Sequence, residues 1–497
     1  MGNMKNTLTI FSILCLMAYV TECLCRRGNN NPLREFMNMR NLRKQSNHPF
    51  LTMDDSNDFK SSSVYVASQT GMKEADKIKA LPGQPKVSFS QYSGYVTVDQ
   101  KAGRALFYYF VEAAENPTNK PLVLWLQGGP GCSSMGYGAM SELGPFRVNS
   151  NGETLWPNKN SWNNGANVLF LESPAGVGFS YSNRSSDYVT GDKKTAEDSY
   201  TFLVNWLQRF PEYKTRVFYI TGESYAGHYV PQLANLILRN NKIISKKAFY
   251  INLKGIAMGN AYIDSADTDN GIMVYLWSHA LISNETYQGV QKNCDFSSHK
   301  RESNLCRYYK KQLNEEIGNI YPYNIYASLC GSSKQFSSIS NFDPCTDHYV
   351  LEYLNNPQVQ KALHANTTHI SRHWDGCNDD ILYNWKDGPD SVLPLIKSLM
   401  TSGIRIWFYS GDLDTNVPFT ATLYSLAKIA SLIETRWYPW YVNEEVGGYA
   451  VGYENVTFVT VRGAGHFVPS YQPERALILF TSFLKGKLPR GKKGSQI

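Results

Sequence analysis

Short apolar runs alternate with amphipathic stretches along most of the chain. Three runs have the length and continuity typical of buried strands: Pro121–Leu126, Val168–Leu171 and Val217–Ile220. Two later runs, Ile404–Tyr409 and Val456–Val461, have the same character. This alternation predicts an α/β fold, with a mostly parallel central sheet and helices on both faces. The stretches with helical periodicity are Thr195–Arg209, Tyr229–Arg239 and Pro418–Ile429.

Other segments depart from this alternation. Lys86–Asp99 and Arg104–Glu112 alternate hydrophobic and aromatic residues with polar ones, which predicts β-rich segments. Residues from about 275 to 390 are polar, cysteine-bearing and weakly periodic, and we interpret them as an insertion that caps the sheet. Within it, the Ser-rich stretch Gly331–Asn341 predicts an exposed loop that is open to proteolytic cleavage.

Residues 1–25 have the features of a secretory signal peptide. A basic start is followed by the apolar run Leu8–Val20, which is shorter than the roughly 20 residues of a membrane span. Residues 26–74 are rich in Asn, Ser and Arg and predict a propeptide or disordered leader, in which Asn31–Arg34 resembles the short plant vacuolar sorting signal. We therefore expect a secreted or vacuolar protein with no membrane attachment after cleavage. Residues 489–497 form a basic tail.

Composition and cysteine count agree with that compartment. The 497 residues carry a formal net charge of only +7, and no basic stripe interleaved with aromatic residues indicates nucleic acid as a partner. Loss of the signal peptide removes Cys15, Cys23 and Cys25, so six of the nine cysteines remain, an even number suited to disulfides. Four N-glycosylation sequons fit the same compartment, and they begin at Asn183, Asn284, Asn366 and Asn455.

The sharpest local motif is GESYAG, residues 222–227, between the predicted strand Val217–Ile220 and the helical stretch that starts at Tyr229. A serine at a strand-to-helix turn needs small neighbours because the turn is strained, and this arrangement is the nucleophile elbow of α/β-hydrolases. Ser224 is therefore the candidate nucleophile. An ordinary helix N-cap serine is the alternative interpretation.

Candidate partners for this serine follow in the order that α/β-hydrolases use, an acid and then a histidine. Each lies where a loop leaves a predicted strand: Asp412 and Asp414 in one loop, and His466 in a later one. An imidazole can accept the serine proton, and a carboxylate fixes the imidazole tautomer and stabilises its charged form. We predict a catalytic triad of Ser224, Asp414 and His466, with Asp412 still open as the acid.

A glycine-rich loop, QGGPGCSS, follows the predicted strand Pro121–Leu126. Consecutive glycines let backbone N–H groups approach a developing oxyanion, and in this kind of fold the second donor is the residue after the nucleophile. Gly129 and Tyr225 are the predicted donors. A phosphate-binding loop is the alternative, but the Gly-Lys-Ser/Thr sequence that it requires does not follow.

Five segments together resemble the serine carboxypeptidase family. They are WLQGGPGCSS from Trp125, ESPAGVGFSY from Glu172, GESYAG from Gly222, YSGDLD from Tyr409 and VRGAGHFVP from Val461. The resemblance covers a domain of residues 75–488 and is greatest to the plant type II branch. It implies an α/β-hydrolase fold and an exopeptidase that needs no cofactor and removes residues one at a time from the C-terminus of a peptide or protein.

The resemblance also implies how the terminal carboxylate of the substrate is bound. Family positions for this task match Gln127, Gly128 and Glu223, and Glu142 matches the position that pairs with Glu223. An ionised Glu223 would repel a carboxylate ligand, so this residue must be protonated, and two carboxyl groups that share a proton raise one pKa. We therefore expect an acidic activity optimum. Gln127 stands where the family usually has Asn, and its extra methylene group moves the amide donor.

Three disulfides are implied by the family pattern, whereas six cysteines alone allow 15 connectivities. In the type II branch the loop between the later cysteines is often excised, so we expect cleavage within Gly331–Asn341 and a homodimer of two-chain protomers. Apolar Phe467 beside His466 favours hydrophobic over basic leaving residues. The implied pairs are Cys132–Cys377, Cys294–Cys306 and Cys330–Cys345.

Other functions fit parts of the pattern. Acyltransferases of the same family, which use glucose esters, tend to have Asp before the nucleophilic serine, so Glu223 favours a peptidase. The intact Ser, Asp and His set disfavours both a hydroxynitrile lyase of the same family and a non-catalytic scaffold. His369, His373 and Asp375 have helical metal-ligand spacing but lack the Glu of a zincin, so no metal site is predicted.

Overall fold

Eleven strands form one sheet in this computed structural model, which describes residues 31–45, 64–243, 249–297, 301–331, 342–366 and 373–491. Two further short strands form a separate antiparallel pair. In chain order the strands are β1 (Lys77–Ile78), β2 (Gln91–Asp99), β3 (Arg104–Val111), β4 (Leu122–Leu126), β5 (Phe146–Val148), β6 (Leu155–Pro157), β7 (Asn167–Leu171), β8 (Phe218–Glu223), β9 (Leu253–Gly259), β10 (Arg405–Gly411), β11 (Ile433–Val442), β12 (Glu445–Tyr453) and β13 (Val456–Val461).

The central part of the sheet is parallel. The strand order is β1-β2-β3-β7-β4-β8-β9-β10-β13-β12-β11, and the six strands from β7 to β13 in that order run in the same direction. The strands at both edges pair antiparallel. The mostly parallel α/β sheet predicted from the sequence is therefore confirmed. Because the carboxyl ends of parallel strands meet at one edge, the loops after β4, β8, β10 and β13 lie together there.

Helices connect and cover the strands. A π-helical segment, Ser134–Glu142, and four 3₁₀ turns add to them. No helix in the described part of the chain is long and apolar enough to cross a membrane. The helices are α1 (Pro32–Gln45), α2 (Met72–Ala75), α3 (Asp192–Arg209), α4 (Ala226–Ile243), α5 (Ser265–Ser278), α6 (Asn284–Asn293), α7 (Asn304–Ile317), α8 (Thr346–Asn355), α9 (Pro357–Ala362), α10 (Asp379–Tyr383), α11 (Leu393–Met400), α12 (Phe419–Ile429), α13 (Val468–Tyr471) and α14 (Pro473–Lys485).

Both faces of the sheet are buried, as strand β4 shows. Leu122, Leu124 and Leu126 pack into one apolar core, and Val123 and Trp125 pack into the core on the opposite face. Successive side chains of a strand point to opposite faces, so a strand covered on both sides has to be apolar throughout. This is why a short continuous apolar run, and not an alternating one, predicts the central strands β4, β7, β8, β10 and β13.

Strand β9 lies in the middle of the sheet but is not predicted from the sequence. Its residues, LKGIAMG, include small residues and no run of β-branched ones. Its place between β8 and β10 explains the composition, because a Cβ at Gly255 would lie 2.8 Å from the Arg405 carbonyl oxygen. The edge hairpin formed by β11 and β12 is not predicted either.

The chain between β9 and β10 carries helices α5 to α11 and includes the predicted cap. Its backbone reaches the edge of the sheet where the loops after β10 and β13 lie, and there the carbonyls of Pro322 and Tyr323 accept from the amides of Thr415 and His466 at 3.1 and 2.7 Å. Three disulfides are present, and they are the pairs that the family resemblance implies. They join Cys132 to Cys377, Cys294 to Cys306 and Cys330 to Cys345.

The leader contains a helix that the sequence does not predict. Leu33, Phe36 and Met37 are buried on one face of α1. Residues three and four positions apart share a face of a helix, so this face is apolar although the segment is polar overall. Residues 1–30 and 46–63, which include the predicted signal peptide, lie outside the described residues.

Three of the predicted glycosylation sites present an exposed asparagine, at Asn183, Asn284 and Asn455. Asn366 is half-buried, and its amide donates to Gln360 at 3.3 Å. Residues 332–341 of the predicted cleavage loop and residues 492–497 of the tail lie outside the described residues, as does His369 of the weak metal motif.

Candidate active site

Ser224 lies at the turn between β8 and α4, where the motif predicts it. Its backbone φ is 62°, a left-handed conformation that residues with a side chain rarely adopt. Glycine is required beside this turn, because a Cβ at Gly222 would lie 2.5 Å from the Leu126 carbonyl oxygen. The Ser224 amide donates to the Gly259 carbonyl at 3.0 Å, so the end of β9 holds the turn in place.

His466 and Asp414 form a buried pair next to the serine. The distance between His466 Nδ1 and Asp414 Oδ2 is 2.7 Å, and the two side chains are 1% and 0% exposed. His466 and Ser224 line the same small cavity. A proton on Nδ1 that is donated to the carboxylate leaves Nε2 of the imidazole as the acceptor, which is the tautomer that a general base needs.

The Asp414 carboxylate accepts several hydrogen bonds in addition to that of His466. The backbone amides of Asn416 and Val417 donate to it at 2.9 and 3.1 Å. The side-chain amide of Asn260 donates at 2.9 Å. Hydrogen bonds to the charged form stabilise an ionised carboxylate in a buried site.

The structure separates the two candidate acids. Asp412 accepts from the amide of Gly463 at 2.7 Å and so bridges the loops after β10 and β13. Asp414 is the one that reaches the histidine. Asn260 is a site residue that the sequence does not reveal, because it follows the unpredicted strand β9 and belongs to no motif. Its Oδ1 accepts from the amide of Gly411 at 3.0 Å, which fixes the side chain against β10.

The glycine-rich loop after β4 lies against the serine turn. A Cβ at Gly128 would lie 2.5 Å from the Tyr225 amide nitrogen and 2.7 Å from the Glu223 carbonyl oxygen, so only glycine allows this approach. Gly129 has a φ of 116° and lines the same cavity as Ser224. The predicted oxyanion donors, Gly129 and Tyr225, therefore belong to two backbones in close approach beside the serine.

Contacts from outside the loop hold its conformation. Ser133 donates to the buried carboxyl group of Glu172, which also accepts from the Phe179 amide at 2.6 Å. Burial raises the pKa of Glu172 to about 7. The disulfide Cys132–Cys377 attaches the loop to the cap. A donor loop that is fixed before the reaction has no reorganisation cost when charge develops on the substrate oxygen.

Glu223 and Glu142 form a fully buried pair of neighbouring carboxyl groups. Burial raises the pKa of Glu223 well above its ordinary range, and the charge of Glu142 raises it further. Burial also raises the pKa of Glu142, against the opposing charge of Arg147. The Glu142 carboxyl group lies within hydrogen-bonding reach of the Glu223 carboxyl group and of Gln127. At acidic pH the pair therefore holds at least one proton.

Gln127 adjoins this pair. Its Nε2 donates to Glu223 Oε1 at 2.6 Å, and its Oε1 accepts from Trp125 Nε1 at 2.9 Å. The indole N–H is a donor only, so it fixes which end of the amide faces Glu223. The structure thus places the four predicted carboxylate-binding residues next to one another: Gln127, Gly128, Glu223 and Glu142.

A cavity of about 160 Å³ opens beside the carboxyl pair. Ser141, which precedes Glu142, lines it, and so does Phe467, which follows His466. It shares Phe467 with the small cavity at Ser224. The cavity therefore lies on the side of the serine where the histidine and the carboxyl pair are.

The walls of this cavity are largely aromatic, and three acidic residues, Asp347, Asp375 and Asp379, also line it. The rings of Tyr137 and Phe467 stack with centroids 5.6 Å apart, and the ring centroid of Tyr323 lies 4.8 Å from that of Phe467. Asp347 of α8 has an exposed side chain. The sequence does not single out Tyr137, Tyr323 or Asp347, because they come from the π-helical segment and the cap and carry no motif.

A family model described as serine carboxypeptidase matches residues 82–486. The chain belongs to the serine carboxypeptidase family. Its curated relatives include serine carboxypeptidase 24 of Arabidopsis thaliana, which is 50% identical over 444 residues, 85% of this chain and 95% of that protein. Serine carboxypeptidase-like 40 of the same plant is 51% identical over 449 residues, 87% of this chain and 88% of that protein.

A solved structure agrees on the fold of this serine carboxypeptidase family member. Kex1, a prohormone-processing carboxypeptidase from Saccharomyces cerevisiae, has a TM-score of 0.73 at 24% identity over 85% of this chain and 98% of that one. The predicted α/β-hydrolase fold is therefore confirmed. The prediction of an enzyme is confirmed as well, since the family match and the named relatives support a hydrolase of the serine carboxypeptidase type.

Proposed function

We propose that this enzyme hydrolyses the C-terminal peptide bond of peptides and proteins at acidic pH. The observation that carries the proposal is the buried pair of Glu223 and Glu142 beside Ser224. A protonated carboxyl group can donate a hydrogen bond to a substrate carboxylate, whereas an ionised one repels it. A hydrolase that cuts inside a chain has no terminal carboxylate to bind and gains nothing from such a pair.

The catalytic cycle has two halves. In the first, the Ser224 hydroxyl attacks the carbonyl carbon while Nε2 of His466 accepts its proton, and the amides of Gly129 and Tyr225 donate to the oxyanion. The imidazolium then protonates the leaving amine as the C–N bond breaks, which leaves an acyl-enzyme. In the second half His466 takes a proton from water, the hydroxide oxygen attacks the ester, and the proton returns to Ser224.

By binding the terminal carboxylate of the substrate, the enzyme would select the C-terminal end of a peptide chain. Glu223 in its protonated form, the Gln127 amide and the Gly128 N–H are the groups that would donate to it. Gln127 already donates to Glu223, so its second N–H is the one available to a ligand. This arrangement binds one negative charge without any cation in contact with it, and its affinity depends on the proton of the carboxyl pair.

The side chain of the leaving residue fits the 160 Å³ cavity next to the carboxyl pair. Its aromatic walls suit apolar side chains, in line with the preference inferred from Phe467. They also suit the methylene stem of Lys or Arg, and Asp347 faces the cavity where the cation of such a side chain would lie. We infer that the leaving-residue pocket accepts apolar residues and, in contrast to the preference for hydrophobic over basic residues predicted from Phe467, also accepts Lys and Arg when Asp347 is ionised.

We infer the cellular compartment and the oligomeric state of the protein from less specific observations. Three disulfides and plant serine carboxypeptidase relatives fit a secretory or vacuolar protein. Glycosylation at the exposed sequons, cleavage within residues 331–341 and a homodimer of two-chain protomers remain proposals that rest on the family resemblance.

The test is an assay of the protein after secretion and removal of residues 1–63. A blocked dipeptide with a free C-terminus, the same dipeptide amide and a glucose ester with an alcohol acceptor are offered at pH 5, beside the Ser224→Ala variant. We expect release of a C-terminal amino acid from the free acid, far less from the amide, and none with Ser224→Ala. Acyl transfer from the glucose ester without peptide hydrolysis would overturn the proposal.

A further inference from the structure

Asp192 is a buried carboxylate close to the active site that the reaction described above does not use. It is the first residue of α3 and is 0% exposed. The Tyr225 hydroxyl and Trp385 Nε1 donate to its Oδ1 at 2.9 and 3.0 Å, and Gln232 Nε2 donates to its Oδ2 at 2.7 Å. A carboxylate is an acceptor only, and the first turn of a helix favours a negative charge. Asp192 therefore attaches the turn after β8, helix α4 and the cap to one point.

The position of Asp192 is fixed in turn by a neighbouring segment of the cap. The backbone amides of Asp192 and Lys193 donate to the carbonyl and to the carboxylate of Asp387, at 3.2 and 3.3 Å. Glycine is required before Asp192 for this contact, because a Cβ at Gly191 would lie 1.6 Å from Asp387 Oδ1. The start of α3 and the cap segment therefore hold each other, and the Asp192 carboxylate is a fixed acceptor.

The side chain of Tyr225 is held at its face as well as at its hydroxyl group. It is 0% exposed, and its ring stacks on the ring of His228 with centroids 4.8 Å apart and 15° between the planes. The far end is enclosed, because a Cβ at Gly388 would lie 2.7 Å from the Tyr225 hydroxyl oxygen. Side chains occupy staggered rotamers, so a ring that cannot move fixes the direction of its Cα–Cβ bond. The backbone at Tyr225, including its amide, is fixed with it.

The amide of Tyr225 needs this support because the turn before it is strained. Ser224 has a φ of 62°, and such a conformation persists only where the surrounding structure holds it. The Gly259 carbonyl holds the Ser224 amide on one side of the turn. On the other side, the Tyr225 amide nitrogen would lie 2.5 Å from a Cβ at Gly128, so a shift of this amide would also displace the glycine-rich loop. An oxyanion donor is effective only within about 2.7–3.1 Å of the oxygen, so a small shift weakens it.

We propose that Asp192 is a positioning residue for the oxyanion hole, which accepts from the Tyr225 hydroxyl and thereby holds the Tyr225 amide where the oxyanion forms. The inference rests on the proposed function, because it assigns Asp192 to the oxyanion step of that reaction. Asp192 does not line the cavity at Ser224 and acts through Tyr225. Its contribution therefore belongs to the transition state, in which the oxyanion is present, and not to substrate binding in the ground state.

Hydrolysis of a blocked amino-acid ethyl ester tests this role with a substrate that has no terminal carboxylate. The enzyme prepared for the peptide assay is compared with Tyr225→Phe, Asp192→Ala and the double variant. The matched control is Tyr200→Phe, which removes the hydroxyl group of another buried tyrosine, in α3. We expect kcat to fall about 10-fold in each single variant with little change in KM, because the donor is displaced and not removed. The double variant should lose no more, since both changes remove the same hydrogen bond, and Tyr200→Phe should keep the kcat of the parent.

A pair of inhibitors separates the oxyanion hole from the shape of the binding site. A blocked amino-acid aldehyde adds the Ser224 oxygen to its carbonyl carbon and so places an oxygen in the oxyanion hole, whereas the corresponding alcohol forms no adduct. We expect Tyr225→Phe to bind the aldehyde about 10-fold more weakly and the alcohol as the parent does, and this variant alone decides if Asp192→Ala is not secreted.

Three results would overturn the positioning role of Asp192. They are a parent-like kcat in Tyr225→Phe, losses that multiply in the double variant, and equal weakening of the aldehyde and the alcohol. A parent enzyme that hydrolyses the ester but no peptide would instead overturn the proposed function and leave the positioning role standing.

Discussion

Two buried acidic regions flank Ser224, and they are built in opposite ways. On the histidine side, the Asp414 carboxylate accepts from His466, from two backbone amides and from Asn260. In the carboxyl pair, Gln127 donates to Glu223, and the hydrogen-bond partners of Glu142 are the Glu223 carboxyl group itself and Gln127. The aspartate and the two glutamates are equally buried, each with 0% exposure. The supply of donors, and not burial, separates the two regions.

This difference matches the two tasks. A general base needs an anion behind its imidazole, and the donors around Asp414 stabilise that anion. A carboxylate ligand needs a neutral donor, and the scarcity of donors around Glu223 keeps a proton on the pair. The two regions therefore provide different environments for a carboxyl group, because the backbone amides of the loop after β10 donate to Asp414.

The largest expected effect comes from removing the anion on the histidine side. Asp414→Asn keeps the shape but cannot hold the required imidazole tautomer, so kcat for a blocked dipeptide should fall about 10⁴-fold. Asp412→Asn is the matched control, since Asp412 contacts the Gly463 amide and not the histidine. We expect it to keep kcat within about 10-fold of the parent enzyme. An equal loss in both variants would contradict the assignment of Asp414.

The sequence predicts the histidine side of the site more fully than it predicts the carboxyl pair. The histidine side is readable because each residue sits in a short motif after a buried strand, in a fixed chain order. The carboxyl pair is implied only by the family resemblance, since nothing local shows that Glu142 and Glu223 meet. Asn260 and Asp347 are not predictable because distant segments carry them to the site. Helix α1 is not predicted because its few apolar residues stand in a polar leader and give too weak a periodic signal.

The carboxyl pair should make the affinity for substrates with a free C-terminus fall as pH rises. Below its raised pKa the pair holds a proton and donates to the terminal carboxylate, and above that pKa it becomes ionised and repels it. We expect KM for a free C-terminus to rise about 10–100-fold between pH 5 and pH 8, while an ester substrate without a free carboxylate shows no such rise. Steady-state kinetics on both substrates measure the difference.

Glu223→Gln sharpens this prediction. Its side-chain amide donates at every pH, so the rise of KM with pH should flatten even if KM at pH 5 is poorer. The matched variant Glu212→Gln removes a carboxylate at the surface and should leave the pH profile unchanged. A profile in Glu223→Gln that still rises as steeply as the parent would assign the pH dependence to another group.

Protonated buried acids should also make the fold more stable in acid. Burial raises the pKa of Glu172 to about 7, above its value in the unfolded chain, so the folded state binds more protons than the unfolded state. This contribution is complete below the unfolded pKa and is lost as pH rises through about 7. We expect roughly 3 kcal/mol of it to disappear between pH 4.5 and pH 8, measured by urea unfolding.

Glu172→Gln checks that assignment. Gln keeps an oxygen that can accept from the Phe179 amide but cannot ionise, so the pH dependence of the unfolding free energy should become shallower. If the variant loses stability equally at all pH values and keeps the slope of the parent, the slope belongs to other groups such as the carboxyl pair.

The smallest expected effect concerns the leaving-residue cavity. Asp347 lines this cavity and belongs to neither of the two buried acidic regions. The side chain of Asp347 is exposed, so it attracts a cationic side chain once it is ionised, while the carboxyl pair loses its affinity for substrate as pH rises. The preference for C-terminal Lys over Leu should therefore increase with pH. Asp347→Asn should lower kcat/KM for Lys about 10-fold and leave Leu unchanged, whereas Asp295→Asn elsewhere on the cap should change neither. A Lys to Leu ratio that is the same in Asp347→Asn would mean that the aromatic walls, or the other acids of the lining, Asp375 and Asp379, select the leaving residue.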